Sequence, residues 1–172
     1  MGLTILRKKS LTLEAEFAEA SELAARLAKR MTTDEVRSAI LGVHKLGGRS
    51  QDVQEILRAD LEQLGFQSEK AGLFASMGVS ALRPDFYRKL GSSGIIAEVE
   101  RGKTITNNMD LLDLWKCHIC PSAHFLFLIV PEARRSENGT TIKAFEQAAR
   151  RLATFFEPPN YVNVEAVFLF GY

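Results

Sequence analysis

The sequence predicts an α/β fold. Its mixed central sheet, an antiparallel meander plus a parallel strand after a crossover helix, is flanked by helices and preceded by an N-terminal helical extension. Apolar residues recur at helical spacing through the first third, short apolar runs with turn residues follow, and strand-like and helical patterns then alternate. A strand–helix–strand crossover implies a parallel pair in an otherwise antiparallel sheet.

The first third of the chain is predicted to hold three helices, because apolar residues recur there every three or four positions. Thr32, with Glu35 three residues later, forms a capping box for the second helix, which ends at Gly47 and Gly48. Ser50 can cap the third helix. The apolar positions are Leu13, Phe17, Ala20, Ala24, Leu27 and Met31, then Val36, Ile40 and Val43, then Val53, Ile56, Leu57, Leu61 and Leu64.

Short strands are predicted beyond Phe66. The runs 73–75 and 79–82 are β-like and are broken by glycines, and Phe86 and Tyr87 extend the second run. The turn residues of LGSSG then lead into a strand over 95–101. The sequence therefore predicts a hairpin here.

Helices and strands are predicted to alternate in the second half. The asparagine pair at 107 and 108 can cap a helix that Pro121 closes. The continuous apolar run Phe125–Val130 is typical of a strand covered on both faces. A threonine at 140 or 141 opens the last helix, which the prolines at 158 and 159 end, and 162–170 forms a final strand or strand pair.

Length and composition are those of an ordinary globular protein. The chain has 172 residues, of which 46% are hydrophobic and 25% charged, and its formal net charge is +1. We expect a core over 50–172 and a helical extension over 1–49. The net charge does not indicate a nucleic-acid partner. However, basic residues cluster locally, as at Arg134 and Arg135, and a DNA-binding groove needs only a local positive stripe. The alternative is that such pairs are solvated helix ends and loops.

A cytoplasmic location is expected. No apolar stretch has the length that a membrane span requires. The N-terminus is too short and too polar for a secretory signal. Two cysteines in a chain of this size fit a reducing compartment.

The most informative pattern is a set of acids in the predicted hairpin. Asp85 follows Pro84 at the end of one apolar run, and Glu98 and Glu100 lie two positions apart in the next. Alternate strand side chains share a face and neighbouring strands lie about 4.8 Å apart, so Asp85 and Glu98 can share a divalent cation. Among apolar neighbours the three acids would resist ionisation without a cation. This pattern predicts a metal site, and its alternative is the polar face of an edge hairpin.

The arrangement resembles the PD-(D/E)XK nuclease superfamily, whose active site reads P-D, a spacer, then (D/E)-x-K. Pro84 and Asp85 match the first half, and Glu98 with Val99 matches the second. Glu100 stands where lysine is usual, an E-x-E variant that some restriction endonucleases of this superfamily carry. The order of elements over 50–172 also matches the superfamily core.

This resemblance implies that Asp85, Glu98 and Glu100 hold Mg²⁺ or Mn²⁺, with the backbone carbonyl of Val99 as an extra ligand. Glu100 would orient or deprotonate water, or bind a second metal. Lys103 would supply the cation that the usual lysine provides, because an ammonium group is a natural phosphate binder.

Three further charged residues are candidates. Asp60 falls inside the apolar stripe of its helix, so it lies beside the metal, pairs with an arginine or stands at a helix edge near solvent. Lys116 either pairs with Asp113, three residues earlier on the crossover helix, or reaches the phosphate. Cys117 and Cys120 have no second cysteine pair for a structural zinc site, and we expect core or surface cysteines.

These inferences predict a metal-dependent endodeoxyribonuclease of a restriction or phage-defence type. DNA is the expected partner by resemblance, and a homodimer is expected because cutting two strands needs two active sites. One alternative is a non-catalytic nucleic-acid-binding or regulatory module on the same fold. Another is a partner-binding α/β protein whose acids are surface residues, since a fold alone does not fix function.

Overall fold

The computed structural model describes residues 2–45, 47–68, 72–78, 82–135, 138–160 and 162–172. Its strands are β1 (Leu3–Arg7), β2 (Gln67–Ser68), β3 (Phe86–Leu90), β4 (Ser93–Val99), β5 (Phe125–Val130), β6 (Arg134–Arg135), β7 (Thr141–Ile142) and β8 (Ala166–Gly171). Its helices are α1 (Glu14–Met31), α2 (Asp34–Val43), α3 (Ser50–Gln63), α4 (Met109–Ile119) and α5 (Ala144–Ala153).

A mixed six-stranded sheet forms the centre of the protein, in the order β1-β8-β5-β4-β3-β2. The pairs β2–β3, β3–β4 and β1–β8 are antiparallel. The pairs β4–β5 and β5–β8 are parallel. Helices α4 and α5 connect these parallel strands, as a crossover requires. The predicted α/β class with a mixed sheet is confirmed.

Helices cover both faces of the sheet. Helices α1, α2 and α3 pack on the face that carries Ala97 and Phe127. Helices α4 and α5 pack on the opposite face, which carries Ile96, Leu126 and Leu128. The central strand β5 is buried along its whole length, which explains its uninterrupted apolar sequence. No helix in the described ranges is long and apolar enough to cross a membrane.

The first seven residues contain a strand that the sequence analysis missed. Strand β1 pairs with β8, with Ile5 opposite Phe168, and forms one edge of the sheet. The predicted N-terminal segment 1–49 therefore contributes a strand as well as helices α1 and α2. An edge strand of this length leaves little pattern, and its Ile5 side chain is exposed.

Several element boundaries differ from the predicted ones. Thr33 rather than Thr32 caps α2 through the backbone N–H of Val36. Arg49 rather than Ser50 is the N-cap of α3. The predicted strand at 73–75 is wrong, because a 3₁₀ turn spans Ala75–Met77. Residues 79–81 of the predicted run 79–82 lie outside the described residues.

The C-terminal boundaries also shift. The segment Thr141–Ile142 belongs to β7, so the last helix begins at Ala144 instead of at a threonine. Strand β8 begins at Ala166 rather than at 162 and is a single strand. The residue immediately before β8 is a buried glutamate, Glu165.

Glu165 joins the start of β8 to the link between β1 and α1. Its side chain is only 2% exposed. One carboxylate oxygen lies 2.8 Å from the Lys8 ammonium, and the other accepts a hydrogen bond of 2.6 Å from the backbone N–H of Thr12. Burial opposes ionisation, but these hydrogen bonds outweigh it and lower the Glu165 pKa. The Glu165 carboxylate thus accepts a backbone hydrogen bond in the link between β1 and α1, where no described helix or strand supplies an acceptor.

We expect Glu165→Ala to lose about 2 kcal/mol of unfolding free energy near neutral pH, because the Thr12 amide and the Lys8 ammonium both lose their acceptor. Urea denaturation measures this loss. A lowered folded-state pKa adds stability above the ordinary value and loses it as pH falls, so the difference should shrink in acid. Glu157→Ala, at an exposed position, is the matched control. Equal stability of the two variants would contradict this role of Glu165.

Candidate active site

Asp85 and Glu98 meet at the open end of the β3–β4 hairpin. The register pairs Phe86 with Ala97, so the preceding residue Asp85 lies opposite Glu98. The backbone N–H of Asp85 donates to Glu98 Oε2 at 3.2 Å, and the backbone N–H of Val99 donates to Asp85 Oδ2 at 2.8 Å. The structure therefore brings together the two acids that the sequence placed on adjacent strands.

Helix α4 adds a lysine and a third acid to this pair. Strand alternation turns Glu98 towards the α4 face of the sheet, opposite to Ala97 and Val99. The Lys116 ammonium lies 2.7 Å from Glu98 Oε1 and 2.9 Å from Asp113 Oδ1. All three side chains are buried, at 10%, 3% and 0% exposure for Lys116, Glu98 and Asp113. The pairing of Lys116 with Asp113 was one predicted alternative, whereas its bond to Glu98 was not foreseen.

Glu100 lies near the same acids, because beyond its burial the negative charges of Asp113 and Asp85 affect its pKa. It follows β4, where its backbone N–H donates to the Ile129 carbonyl at 2.8 Å and its own carbonyl accepts from the Tyr172 hydroxyl at 2.9 Å. Burial, followed by the negative charges of Asp113 and Asp85, raises the Glu100 pKa to about 8. Its side chain is therefore mostly protonated at neutral pH.

The other carboxyl groups of the cluster also resist ionisation. Burial and the charge of Asp113 raise the Glu98 pKa well above its ordinary value, and burial raises the Asp85 pKa. Burial raises the Asp113 pKa to about 6, against the attraction of Lys116. Burial opposes the charge of Lys116, but Glu98 and Asp113 outweigh it and raise its pKa. One ammonium group thus faces several acids, and the cluster holds protons that another cation can displace.

We name Asp85, Glu98, Glu100 and Asp113, together with Lys116, the carboxylate cluster. Its carboxylate oxygens are the hard ligands that Mg²⁺ and Mn²⁺ prefer. Asp113 Oδ1 already faces the Lys116 ammonium. The other oxygen, Oδ2, is buried without a hydrogen-bond partner among the described residues, so it can accept a cation. Among the described residues, however, no three acidic, histidine or cysteine side chains already stand in metal-binding positions. The donor chemistry fits a divalent cation, while Lys116 takes up part of the space between the acids.

Lys103 lies outside the carboxylate cluster. Its side chain is exposed, and it lines a pocket of about 360 Å³ together with Glu100 and Met109. This pocket gives solvent access to Glu100. Among the described residues, the lysine that contacts the acids is Lys116. Lys103 shares a pocket with Glu100, and its predicted catalytic role stays a prediction.

Two other sequence candidates have structural roles away from the cluster. Asp60 accepts a hydrogen bond of 2.7 Å from Arg30 Nε, so the predicted arginine partner is the alternative that the structure shows. Cys117 and Cys120 are buried, and neither is in a disulfide in the described part of the chain. Burial raises the pKa of the Cys117 thiol, which disfavours its reactive thiolate form.

Asp113 is the acid that sequence reasoning did not assign to the site. Its neighbours Leu114 and Cys117 are buried, which places it on the inward face of α4. An acid on such a face needs a partner, and this was the available indication. Comparison with known proteins found no family model, curated protein or solved structure that matches this chain.

Proposed function

We propose that the protein is a metal-dependent endodeoxyribonuclease of the PD-(D/E)XK type, of a restriction or phage-defence kind, acting as a homodimer. The observation that supports it is the carboxylate cluster, in which Asp85 and Glu98 share the end of a hairpin and Glu100 has a pKa of about 8. Buried acids with strongly raised pKa values beside a pocket are typical of catalytic sites.

In this proposal, Asp85, Glu98 and Glu100 hold Mg²⁺ or Mn²⁺, with Asp113 as a further oxygen donor. Such a cation, when bound, would neutralise charge at the scissile phosphate and make a water more acidic. The ionised form of Glu100, which becomes abundant in mild alkali because the pKa is about 8, would accept a proton from that water. Lys116 fixes Glu98 and Asp113 and contributes positive charge, which is the role that the resemblance gives to the lysine of the motif.

The test is a calorimetric Mn²⁺ titration with nicking of supercoiled plasmid in the same samples. Asp85→Asn and Glu98→Gln keep the size of each side chain and remove its charge. We expect Mn²⁺ binding at least about tenfold weaker and nicking at least about a hundredfold slower in each variant. Glu146→Gln, which changes an exposed glutamate on α5, should behave as wild type.

Two results would overturn this proposal. Wild type that neither binds Mn²⁺ nor nicks plasmid removes the catalytic function. Binding and nicking that persist unchanged in both variants remove the carboxylate cluster as its site. Binding that is lost in the variants, without nicking in wild type, retains the metal site and argues against the reaction.

The observation that favours the second candidate function is the position of Lys116. Its ammonium already compensates Glu98 and Asp113, so the cluster can be stable without a metal. A non-catalytic nucleic-acid-binding or regulatory module on this fold would retain DNA in a gel and would not cut it with Mg²⁺ or Mn²⁺. The plasmid assay above separates this function from the nuclease.

A further inference from the structure

A basic groove lies next to the carboxylate cluster. It has a volume of about 830 Å³ and is lined by Lys45, Arg101, Lys103, Arg134 and Arg135, among others. No acidic side chain lines it among the described residues. Lys45, Lys103 and Arg135 are exposed, and the described part of the chain shows no ion pair for them or for Arg134. The described lining of the groove is therefore positively charged and includes no acidic side chain.

The walls of the basic groove are held together by specific contacts. The buried Arg101 guanidinium donates hydrogen bonds to the carbonyls of Lys45 and Gly48, which fixes the α2–α3 link against the groove floor. His44 Nε2 lies 3.0 Å from the carbonyl oxygen of Ala133, and this contact joins the α2 wall to the segment before β6. The cationic side chains thus project from a preorganised frame, which lowers the cost of binding.

The basic groove and the pocket at Glu100 share a border. Arg101, Gly102 and Lys103 line both, so a chain lying in the groove borders the pocket that Glu100 lines. Arg134 and Arg135 form β6, which pairs with β7 in a short two-stranded sheet, and both arginines line the basic groove. A groove lined by basic side chains beside the pocket at Glu100 is suited to binding a polyanion whose backbone reacts near that glutamate.

We propose that the basic groove binds the phosphodiester backbone of the nucleic acid, with Lys45, Lys103, Arg134 and Arg135 contacting successive phosphates. This inference rests on the proposed function for its substrate class and adds the surface that holds the substrate. Contacts to phosphates position a nucleic acid without reading its sequence. The groove should therefore bind duplexes of unrelated sequence with similar affinity.

The test measures binding to a fluorescent DNA duplex in EDTA, where no metal is bound and no cleavage occurs, over a series of salt concentrations. Arg134→Gln combined with Arg135→Gln removes two charges from the groove. We expect at least about tenfold weaker binding, and a plot of log affinity against log salt whose slope falls by about 2. The matched control is Arg26→Gln combined with Lys29→Gln, which removes two exposed charges from α1 and should change neither quantity beyond a small general effect.

A single-stranded oligonucleotide of the same length and a duplex of unrelated sequence complete the experiment. Loss of binding to either strand form in the groove variant alone supports the inference. Equal binding by the groove variant and the control overturns it, and so does a wild type that binds neither form. Failure of the groove inference can be distinguished from failure of the proposed nuclease. A protein can bind DNA through the groove without cutting it, and it can cut DNA that another surface holds.

Discussion

Lys116→Met should lower the unfolding free energy by about 3–5 kcal/mol at about pH 8, because it leaves buried acids without their cation. Glu98 and Asp113 lose contacts of 2.7 and 2.9 Å and stay within an apolar region formed by α4 and the sheet. Methionine fills much of the same volume without a charge. Urea denaturation followed by circular dichroism measures the loss.

The loss from Lys116→Met should become smaller in acid. Without the ammonium, the acid pKa values in the folded variant rise further, so the folded state binds more protons than the unfolded state across neutral pH. Stability then falls as pH rises, and repeating the measurement at about pH 5 should recover part of the loss. Lys143→Met breaks an exposed ion pair with Glu146 and should cost less than about 1 kcal/mol at either pH.

A divalent cation provides a second measurement on the same variant. If Mn²⁺ binds among these carboxylates, it should stabilise Lys116→Met more than wild type, because it compensates acids that have lost their ammonium. Glu98→Gln added to Lys116→Met should recover stability by removing one uncompensated charge. A variant as stable as wild type at both pH values would show that Lys116 does not neutralise this cluster.

The hairpin part of the candidate site could be predicted from the sequence because its geometry is local. A short turn at Gly91 and Ser92 fixes the register, and the two-residue period of strands then sets Asp85 opposite Glu98. Pairing of Lys116 with Asp113 is equally local, since the two residues lie three apart on α4.

The contact between Lys116 and Glu98 depends on tertiary structure and could not be predicted in this way. Eighteen positions separate the two residues, and their approach depends on how α4 rotates against the sheet. The sequence pattern shows which face of α4 is apolar, but not which strand residue that face meets. The same dependence on packing applies to the choice of lysine. Lys103 was predicted to supply the cation because it lies close to Glu100 along the chain, whereas the packing of α4 brings Lys116 into contact with Glu98.

The fold shows the same division between local and distant information. The apolar run of β5 and the periodic faces of α1 and α3 predicted single elements, and the order of strands and helices along the chain then predicted the mixed sheet flanked by helices. Strand β1 was missed because its pairing partner β8 is at the opposite end of the chain. Its five residues become a strand through that long-range pairing rather than through their own pattern.

Glu100→Gln should stabilise the protein in mild alkali and remove most of the proposed nuclease activity. The Glu100 pKa of about 8 lies well above its ordinary value of 4.5, so the folded state binds more protons than the unfolded state between these values. Wild-type stability should therefore fall as pH rises through this window. The full shift sets an upper limit of about 5 kcal/mol, and partial exposure and the shared charge of the cluster reduce our expectation to about 2 kcal/mol.

Glutamine has the shape of glutamic acid and carries no charge to bury, so Glu100→Gln should exceed wild-type stability by about 2 kcal/mol at about pH 9 and match it at about pH 5. Denaturation in EDTA at the two pH values measures this. Glu55→Gln, which alters an exposed glutamate paired with Arg58, should shift stability by less than about 0.5 kcal/mol at both.

The activity of Glu100→Gln shows whether the stability that Glu100 costs the wild type is connected to function. If Glu100 exchanges a proton with water or holds the cation, Glu100→Gln should nick plasmid at least about a hundredfold more slowly while being the more stable protein. A gain in stability combined with a loss of activity is typical of a group retained for function rather than for folding. A variant that is more stable and cuts at the wild-type rate would make Glu100 a passive neighbour of the cluster. The proposed nuclease would then have to operate with Asp85, Glu98 and Asp113.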